Sequence, residues 1–300
     1  MGALPLSVDA VHESPHISDD PRYCETWAFS FADARSKSAA LIHSSWLPAH
    51  GAGNHLVSVV SPGFTEDLRV ETREPLRSDL MSLELEPWKS AVVRVPSADI
   101  ELRFDAFTEA VDFGDLFSLG EGMAQAHAQA GVRCTGHIGG SEVSGPGFRD
   151  RSWGPRDLRH IGRLAALALS GEDEDHFVTV NALTSHDRAI QSSPDTTLGC
   201  SVIDGRSSVW SDPITVLRNP DATPAAFELP IPTEPEPLRI DLDFGRVFSF
   251  QRFLADRGSA PGGFPTREPV LAIRTWSLDT VSPRLGRLAG WYQEGMLLTN

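Results

Sequence analysis

The sequence predicts an all-β fold made of two β-barrel or half-barrel units. Two observations carry this prediction: short runs in which apolar and polar residues alternate, and frequent turns marked by 25 glycines and 22 prolines. Alternation with a period of two places apolar side chains on one face of a strand. Many short strands separated by turns, without a long amphipathic helix, are typical of sandwiches and barrels. A chain of 300 residues is long enough for two such units.

Composition and charge exclude several classes of function. A net charge of -15 argues against binding to nucleic acids or to anionic membrane surfaces, because both attract basic patches. The three cysteines are far apart and form no metal-binding pair or disulfide framework, so we predict a reducing, cytoplasmic location. No run of residues is apolar enough to span a membrane. Residues 1–20 lack the pattern of a signal peptide, and we expect a loose lead-in that orders only on docking.

The first half of the chain shows the patterns of strands and hairpins. Aromatic residues alternate with small ones over 27–31, and a polar turn separates this strand from the apolar stretch 39–46. The clearest half-buried strand is 100–105, where large apolar residues alternate with charged ones. The stretch 121–129 is rich in alanine and glutamine, and it fits either a helical turn or a strand.

In the second half, two hairpins and one proline-rich loop are predicted. Residues 163–169 have helical propensity, but we prefer a strand that continues through the acidic turn 171–175 into a second strand at 176–183. Asp204-Gly205 between two apolar runs indicates a two-residue hairpin turn. Residues 219–237 contain six prolines, so we predict a loop there.

The stretch 145–157 is unlike the rest of the chain, because it combines two Gly-Pro pairs, one tryptophan and five charges. If its middle is extended, Phe148 and Asp150 share one face of a strand, and Arg149 and Arg151 share the other. A carboxyl would then lie beside an apolar ring. The same composition also fits a charged junction between two β units, and the sequence leaves both interpretations open.

Several common catalytic and metal-binding motifs are missing from the sequence. It contains no glycine-rich nucleotide or phosphate loop, no nucleophile elbow and no His-Glu-x-x-His motif. The ten histidines do not pair with acids at ligand spacing, and the acidic run 172–175 lacks the spacing of a calcium loop. We therefore predict no metal site.

The pattern Gly-x-Gly-x-Arg-Asp-Arg-Ser-Trp-Gly-Pro-Arg-Asp at 145–157 resembles the signature of the two-domain lipocalin-like superfamily. This superfamily includes carotenoid 1,2-hydratase (hydroxyneurosporene synthase), AttH-like proteins, kievitone-hydratase-like enzymes and fungal pericyclases. The order of the flanking segments is also similar, so the resemblance spans most of the chain. It implies two packed lipocalin-like (calycin-type) β-barrels or half-barrels. We expect a lead-in at 1–20, a first domain at 21–144 and a second domain at 145–300.

The resemblance also implies chemistry at individual positions. Asp150 and Trp153 match the hydratase run Asp-His-Asn-Trp, while Arg151 and Ser152 stand where hydratases have His and Asn. A carboxyl in an apolar wall can donate a proton, because desolvation disfavours its charged form, and an imidazole can shuttle protons. The candidate catalytic residues are Asp150, Arg151 and His176. The candidate substrate-binding residues are Phe148, Trp153, Arg156, His160, Trp27 and Trp276.

Three functions remain open from the sequence. The first is a cofactor-independent enzyme (a hydratase, isomerase or cyclase) that acts on a hydrophobic terpenoid-, steroid- or polyketide-like molecule in an apolar pocket. The second is a non-catalytic lipocalin-like carrier of such a molecule. The third is a structural or interaction module that the charged motif locks together. A hydrophobic small molecule is the expected partner, and the sequence is compatible with a homodimer without establishing the oligomeric state.

Overall fold

The computed structural model describes residues 8–114, 117–118, 124–156, 161–185, 196–220, 224–241, 249–255 and 270–298. Regular structure in these ranges consists of 21 β-strands and three short 3-10 helices, η1 (Ala10–Glu13), η2 (Pro48–His50) and η3 (Pro96–Ala98). This confirms the predicted all-β fold class. No helix in the same ranges is long and apolar enough to cross a membrane.

The first sheet contains eleven strands from the N-terminal half of the chain. They are β1 (Tyr23–Asp33), β2 (Ser38–Leu47), β3 (Ala52–Ser61), β4 (Phe64–Thr72), β5 (Ser82–Glu86), β6 (Ser90–Val95), β7 (Ile100–Ala106), β8 (Val111–Asp112), β9 (Phe117–Ser118), β10 (Ala124–Ile138) and β11 (Ser141–Pro155). The main path runs β4-β3-β2-β1-β11-β10-β7-β6-β5, and β8 and β9 pair with β10. The sheet curls into a half-barrel.

Two further sheets contain the rest of the described chain. Their strands are β12 (Ile161–Gly171), β13 (His176–Ser185), β14 (Thr196–Ile203), β15 (Arg206–Trp210), β16 (Thr215–Arg218), β17 (Pro224–Leu229), β18 (Leu238–Asp241), β19 (Ser249–Ala255), β20 (Val270–Ser282) and β21 (Gly286–Leu298). The second sheet has seven strands in the order β15-β14-β13-β12-β21-β20-β19, and the third has the order β16-β17-β18.

The strand that carries the charged motif, β11, lies at the centre of the first sheet between β1 and β10. The chain leaves this sheet after Pro155 and enters the second sheet at Ile161. The motif up to Pro155 is therefore part of the first sheet. The domain limits 21–144 and 145–300 stay a prediction.

The second sheet packs on one face of the first sheet. Phe148 of β11 stacks on Trp291 of β21, with ring centroids 4.5 Å apart. Gly131 of β10 lets Phe177 of β13 approach, because an added Cβ would lie 3.1 Å from that ring and 2.7 Å from Phe107. Strands β1 and β11 are consequently buried on both faces, which explains why small residues between the aromatic ones of 27–31 are also inaccessible to solvent.

The other face of the first sheet holds its own apolar core. The ring centroid of Phe104 on β7 lies 5.1 Å from that of Phe29 and 6.4 Å from that of Phe31, both on β1. The alternating burial of β7 confirms the half-buried strand predicted at 100–105. A separate core lies between the second and third sheets, where the rings of Phe227 and Tyr292 are 4.7 Å apart.

Two predicted hairpins are confirmed. The choice between a helical turn and a strand, left open for residues 121–129, is decided in favour of a strand for the described part. Strands β12 and β13 pair through the acidic turn, as preferred over a helix. Asp204 and Gly205 adopt φ values of 50° and 71° in the turn between β14 and β15. The alanine- and glutamine-rich residues 124–129 belong to β10, because both neighbouring strands supply backbone partners.

The predicted loop at 219–237 is wrong in part, because β17 lies within it. Pro224 is the first residue of that strand, where a missing backbone N–H is tolerated. Phe227 and Leu229 are buried in the core between the second and third sheets. Burial of these side chains outweighs the low strand propensity of the proline-rich flanks.

Residues 8–16 of the expected lead-in pack on the first sheet, and the prediction of a segment that orders only on docking stays a prediction. Glu13 is only 1% exposed, and its backbone carbonyl accepts a hydrogen bond from the indole N–H of Trp27 at 3.0 Å. The segment is ordered by polar contacts with side chains of β1 and β11.

Asp33 at the end of β1 ties the first hairpin turn to β11. Its carboxylate accepts hydrogen bonds from the backbone N–H groups of Arg35 at 2.9 Å, Ser36 at 3.3 Å and Ser144 at 3.0 Å. Burial alone would raise the pKa of Asp33, but these hydrogen bonds and one from the Ser36 hydroxyl hold its pKa below the ordinary value. Since the folded-state pKa is depressed, the stabilisation is present above the unfolded-state pKa and is lost as the pH falls through the folded-state pKa.

We predict that Asp33→Asn lowers the free energy of unfolding by about 1 kcal/mol at pH 7, because a neutral amide accepts these hydrogen bonds less strongly. The difference from the unmodified protein should shrink at pH 3. Denaturant unfolding at both pH values measures it. Asp105→Asn is the matched control, because that carboxylate is exposed and forms a surface ion pair with Arg103 at 2.7 Å. An equal loss in both variants would contradict the role of Asp33.

Candidate functional site

Hydrogen bonds between buried polar side chains connect Asp150 of the first sheet to the second sheet. This residue lies on β11 and is 8% exposed. Its Oδ2 atom accepts a hydrogen bond from Gln129 Nε2 at 2.9 Å and lies 3.3 Å from His127 Nε2. Gln129 Oε1 in turn accepts a hydrogen bond from the Thr179 hydroxyl of β13. We call Asp150, His127, Gln129 and Thr179 the intersheet cluster.

The antiparallel register of β10 and β11 assembles this cluster. Gln129 lies directly opposite Asp150, and His127 lies opposite Ser152. Residues two apart on a strand share a face, so the two side chains of β10 flank the Asp150 carboxyl. Thr179 completes the cluster because β13 packs across β10.

The imidazole of His127 is held in an apolar environment. The ring of Phe113 meets it edge-on, with ring centroids 5.4 Å apart and an interplanar angle of 75°. Burial lowers the pKa of His127; the Asp150 carboxylate opposes this effect, and the Arg156 guanidinium adds to it. The imidazole is therefore mainly neutral at neutral pH, and it can accept a proton beside a carboxyl group.

Three donors near the cluster are buried without a hydrogen-bond partner among the described residues. They are Trp291 Nε1, Asn181 Nδ2 and Arg156 Nε. Trp291 stacks on Phe148, and Asn181 lies two residues after Thr179 on the same face of β13. Arg156 also donates from Nη2 to the Ser152 hydroxyl at 3.0 Å. Unsatisfied buried donors are uncommon, and a bound molecule with oxygen acceptors can satisfy them.

The opposite face of β11 carries a second polar cluster. Arg149 forms an ion pair with Glu13, and Arg151 Nη2 lies 3.3 Å from Glu25 Oε2. All four side chains are no more than 1% exposed. The Arg151 guanidinium also lies over the Trp27 ring, 3.9 Å from its centroid.

The residues predicted for one site are thus distributed over two faces of the sheet. Phe148 and Asp150 face the second sheet, as their contacts show. Arg151, Trp27 and Trp153 lie on the opposite face, where the Arg151 Cζ atom is 5.4 Å from the centroid of the Trp153 ring. Because strand side chains alternate, neighbours in the motif cannot share one site.

The remaining predicted residues lie elsewhere or outside the described residues. His176 begins β13, and alternation places it on the face opposite Thr179. Its Nε2 atom lies 3.4 Å from Asp175 Oδ2, and these two residues form a compact group with Asp204. Asp204 forms an ion pair with Arg284, whose Nη2 atom lies 2.7 Å from Asp204 Oδ2. Trp276 belongs to β20, but its side chain is outside the described part, as is all of His160.

His127, Gln129 and Thr179 were not predicted as site residues. The segment 124–130 reads Ala-Gln-Ala-His-Ala-Gln-Ala, and its strict alternation of polar and small residues is a strand signal. Alanine and glutamine favour helices, and this propensity obscured the alternation. Nothing local to Thr179 reveals its partner, which is 50 residues away in the sequence.

The half-barrel sheet and the second sheet packed on it form an all-β fold of the lipocalin-like class. The chain belongs to the family described as Domain of unknown function (DUF7064), whose profile matches residues 9–208. A search of curated proteins finds no match.

Solved structures of low sequence identity share the fold. An AttH-type protein of Nitrosomonas europaea has a TM-score of 0.62 at 12% identity, with 97% of each chain covered. CghA has a TM-score of 0.57 at 13% identity, covering 93% of this chain and 89% of its own. Kievitone hydratase from Nectria haematococca has a TM-score of 0.52 at 12% identity, covering 99% of this chain and 94% of its own. These likenesses confirm that the chain shares the fold of lipocalin-like proteins, as the resemblance predicted.

We predict that Asp150→Asn lowers the pKa of His127 further, because the Asp150 carboxylate stabilises the imidazolium form. An NMR titration of the histidine ring resonances measures the change. Asp112→Asn is the control, since Asp112 acts on His127 in the same direction but is the weakest of the contributors. An unchanged or raised pKa of His127 in Asp150→Asn would show that the two groups are not coupled.

Proposed function

We propose that this protein is a cofactor-independent enzyme, a hydratase, isomerase or cyclase, that acts on a hydrophobic terpenoid-, steroid- or polyketide-like molecule. The observation that carries the proposal is the buried pair of His127 and Asp150, set among aromatic rings between the two sheets. An acid-base pair in an apolar environment is suited to moving protons on a substrate that has few charges of its own.

In the proposed reaction, neutral His127 acts as the general base. It removes a proton from a water molecule or from an acidic C–H group of the substrate, and the Asp150 carboxylate stabilises the imidazolium that forms. In a hydration, the water oxygen bonds to one alkene carbon, and the imidazolium returns the proton to the neighbouring carbon. In an isomerisation, the same proton returns to a different carbon. Neither path needs an outside oxidant or reductant.

The neighbouring side chains have positioning roles in this proposal. Gln129 fixes the Asp150 carboxyl, and the Thr179 hydroxyl fixes the Gln129 amide. The partly engaged guanidinium of Arg156 can hold a substrate oxygen and stabilise charge that develops on it. Phe148 and Trp291 supply apolar surface for the hydrophobic body of the substrate. Arg151 and His176 have no part in it, because each faces away from the cluster.

The structural neighbours support a small-molecule site of this kind. One of them is named a hydratase, and CghA has been solved together with Sch210972 at a TM-score of 0.53 to this chain. At 12–13% identity they support the fold as a scaffold for such chemistry.

A non-catalytic carrier of a hydrophobic molecule is the second candidate. The hydrogen bonds from Thr179 through Gln129 to Asp150 favour it, because they link the two sheets and satisfy part of the carboxylate. In a carrier these hydrogen bonds would hold the two sheets in register, and the aromatic rings alone would bind the ligand.

We predict that His127→Gln and Asp150→Asn each lower turnover by about 10²- to 10⁴-fold, the usual contribution of general acid-base catalysis. A panel of polyenes, steroids and polyketide-like enones is incubated with the protein in H₂¹⁸O, and the products are analysed by mass spectrometry. His137→Gln and Asp99→Asn are matched controls, since this His-Asp pair is 3.3 Å apart but exposed.

The outcomes separate the candidate functions. Conversion by the unmodified protein that is lost in both variants with an unchanged Tm supports the enzyme. Full activity in a folded His127→Gln variant would exclude the proposed base. Stoichiometric binding with every compound recovered unaltered would favour the carrier.

A further inference from the structure

On the face of the first sheet that lies opposite the intersheet cluster, the chain's own N-terminal segment, residues 8–17, packs against Arg149 and Arg151. This segment inserts a carboxylate rather than an apolar side chain. Glu13 forms an ion pair with Arg149, and both side chains are only 1% exposed. The backbone carbonyls of His12 and Ser14 accept hydrogen bonds from Arg151 at 2.8 Å and 3.2 Å.

The apolar residues of the segment contribute little to its docking. Val11 is 57% exposed and Ile17 is fully exposed. A segment whose role was to complete an apolar core would bury such residues. The segment is instead held by the Glu13 ion pair and by backbone carbonyls that accept hydrogen bonds from the indoles of Trp27 and Trp88. His12 also stacks on Trp153, and the backbone N–H of His16 donates to Glu25 at 2.8 Å.

The guanidinium of Arg149 is only partly satisfied by this arrangement. Its Nη2 atom contacts Glu13, whereas its buried Nη1 atom has no hydrogen-bond partner within the described ranges. An arginine side chain binds a carboxylate best with two parallel hydrogen bonds. Burial also raises the pKa of Glu13 and lowers the pKa of Arg149, so desolvation opposes the charged form of each partner.

Aromatic rings surround this guanidinium. The Arg149 Cζ atom lies 5.7 Å from the centroid of the Phe29 ring and 5.4 Å from that of the Trp88 ring. Trp88 is half-buried in the turn between β5 and β6, and it donates a hydrogen bond to the Asp9 carbonyl at 3.2 Å. Among the groups that contact Arg149, Trp88 lies in a half-buried turn, and Glu13 belongs to a segment whose Val11 and Ile17 are exposed to solvent.

We propose that Arg149 anchors a second ligand site, specific for a carboxylic acid with a planar apolar body, and that residues 8–17 occupy this site as an internal competitor. The carboxylate of the ligand replaces that of Glu13 and engages both Nη1 and Nη2 of Arg149. The apolar body lies against Trp88 and Phe29. The site is independent of the proposed enzymatic one, because Arg149 and Asp150 point to opposite faces of β11.

The test uses the full chain and two probes of matched shape, trans-cinnamate and uncharged cinnamyl alcohol. Calorimetry measures their affinities, and hydrogen exchange measures the protection of residues 8–17. We expect cinnamate to bind, the alcohol to bind at least tenfold more weakly, and the segment to lose protection when cinnamate saturates the protein. Arg149→Met should weaken cinnamate binding at least tenfold, to the level of the alcohol.

Two variants test whether residues 8–17 compete with the ligand for Arg149 or only stabilise the fold. Glu13→Gln removes the competing carboxylate, so cinnamate should bind at least tenfold more tightly. Because this change leaves Arg149 buried without an ionic partner, the variant can fail to fold. Asp9→Ala leaves the ion pair intact and removes only the cap of η1, a 3.0 Å hydrogen bond to the Val11 N–H. It should tighten binding about fivefold, the effect of one lost cap.

Three results would overturn the proposal. The first is the absence of cinnamate binding to both the unmodified protein and Asp9→Ala. The second is equal affinity for cinnamate and cinnamyl alcohol. The third is cinnamate binding that leaves residues 8–17 fully protected, since the ligand would then lie elsewhere. Loss of cinnamate binding does not affect the turnover test at His127, so the two proposals fail separately.

Discussion

Strand β11 is buried on both faces, and the two polar clusters depend on this constraint. A strand at the centre of two packed layers cannot leave a charged side chain in water, so each charge must find a partner inside the protein. Alternation along the strand sends Arg149 and Arg151 to one face and Asp150 to the other. Glu13 and Glu25 form ion pairs with the two arginines. Gln129 donates a hydrogen bond to Asp150, and His127 lies beside it.

The same constraint explains why the N-terminal segment docks where it does. Removing one partner of a buried ion pair typically costs about 3–5 kcal/mol, whereas the pair itself adds little net stability. Glu13 therefore acts less as a source of stability than as a condition for burying Arg149. Its partner is 136 residues away in the sequence, so the contact depends on the tertiary fold and not on local structure.

Local patterns predicted most strands, since one face of each carries apolar side chains against a core. Residues 100–105 and the turn at Asp204-Gly205 are examples in which the signal lies within a few residues. The site was harder to predict, because its members come from different strands. Phe148 and Asp150 share a face as predicted, but the partner His127 lies in a stretch whose alanine and glutamine content suggests a helix. Packing against the second sheet stabilises β17, and a buried ion pair with Arg149 holds Glu13; no local pattern encodes such contacts.

The geometry of β11 also bears on the difference between this chain and hydratases that carry Asp-His-Asn-Trp. Position 151 faces the arginine cluster and Trp27, so a change from His to Arg there alters the side of the strand remote from the Asp150 carboxyl. The imidazole beside Asp150 is supplied from the neighbouring strand by His127. Arginine at 151 therefore leaves the contact between Asp150 and His127 intact, and it places a cation on the face of β11 where the N-terminal segment packs. Because side chains alternate along β11, a substitution at position 151 acts on one face of the strand and leaves the other face unchanged.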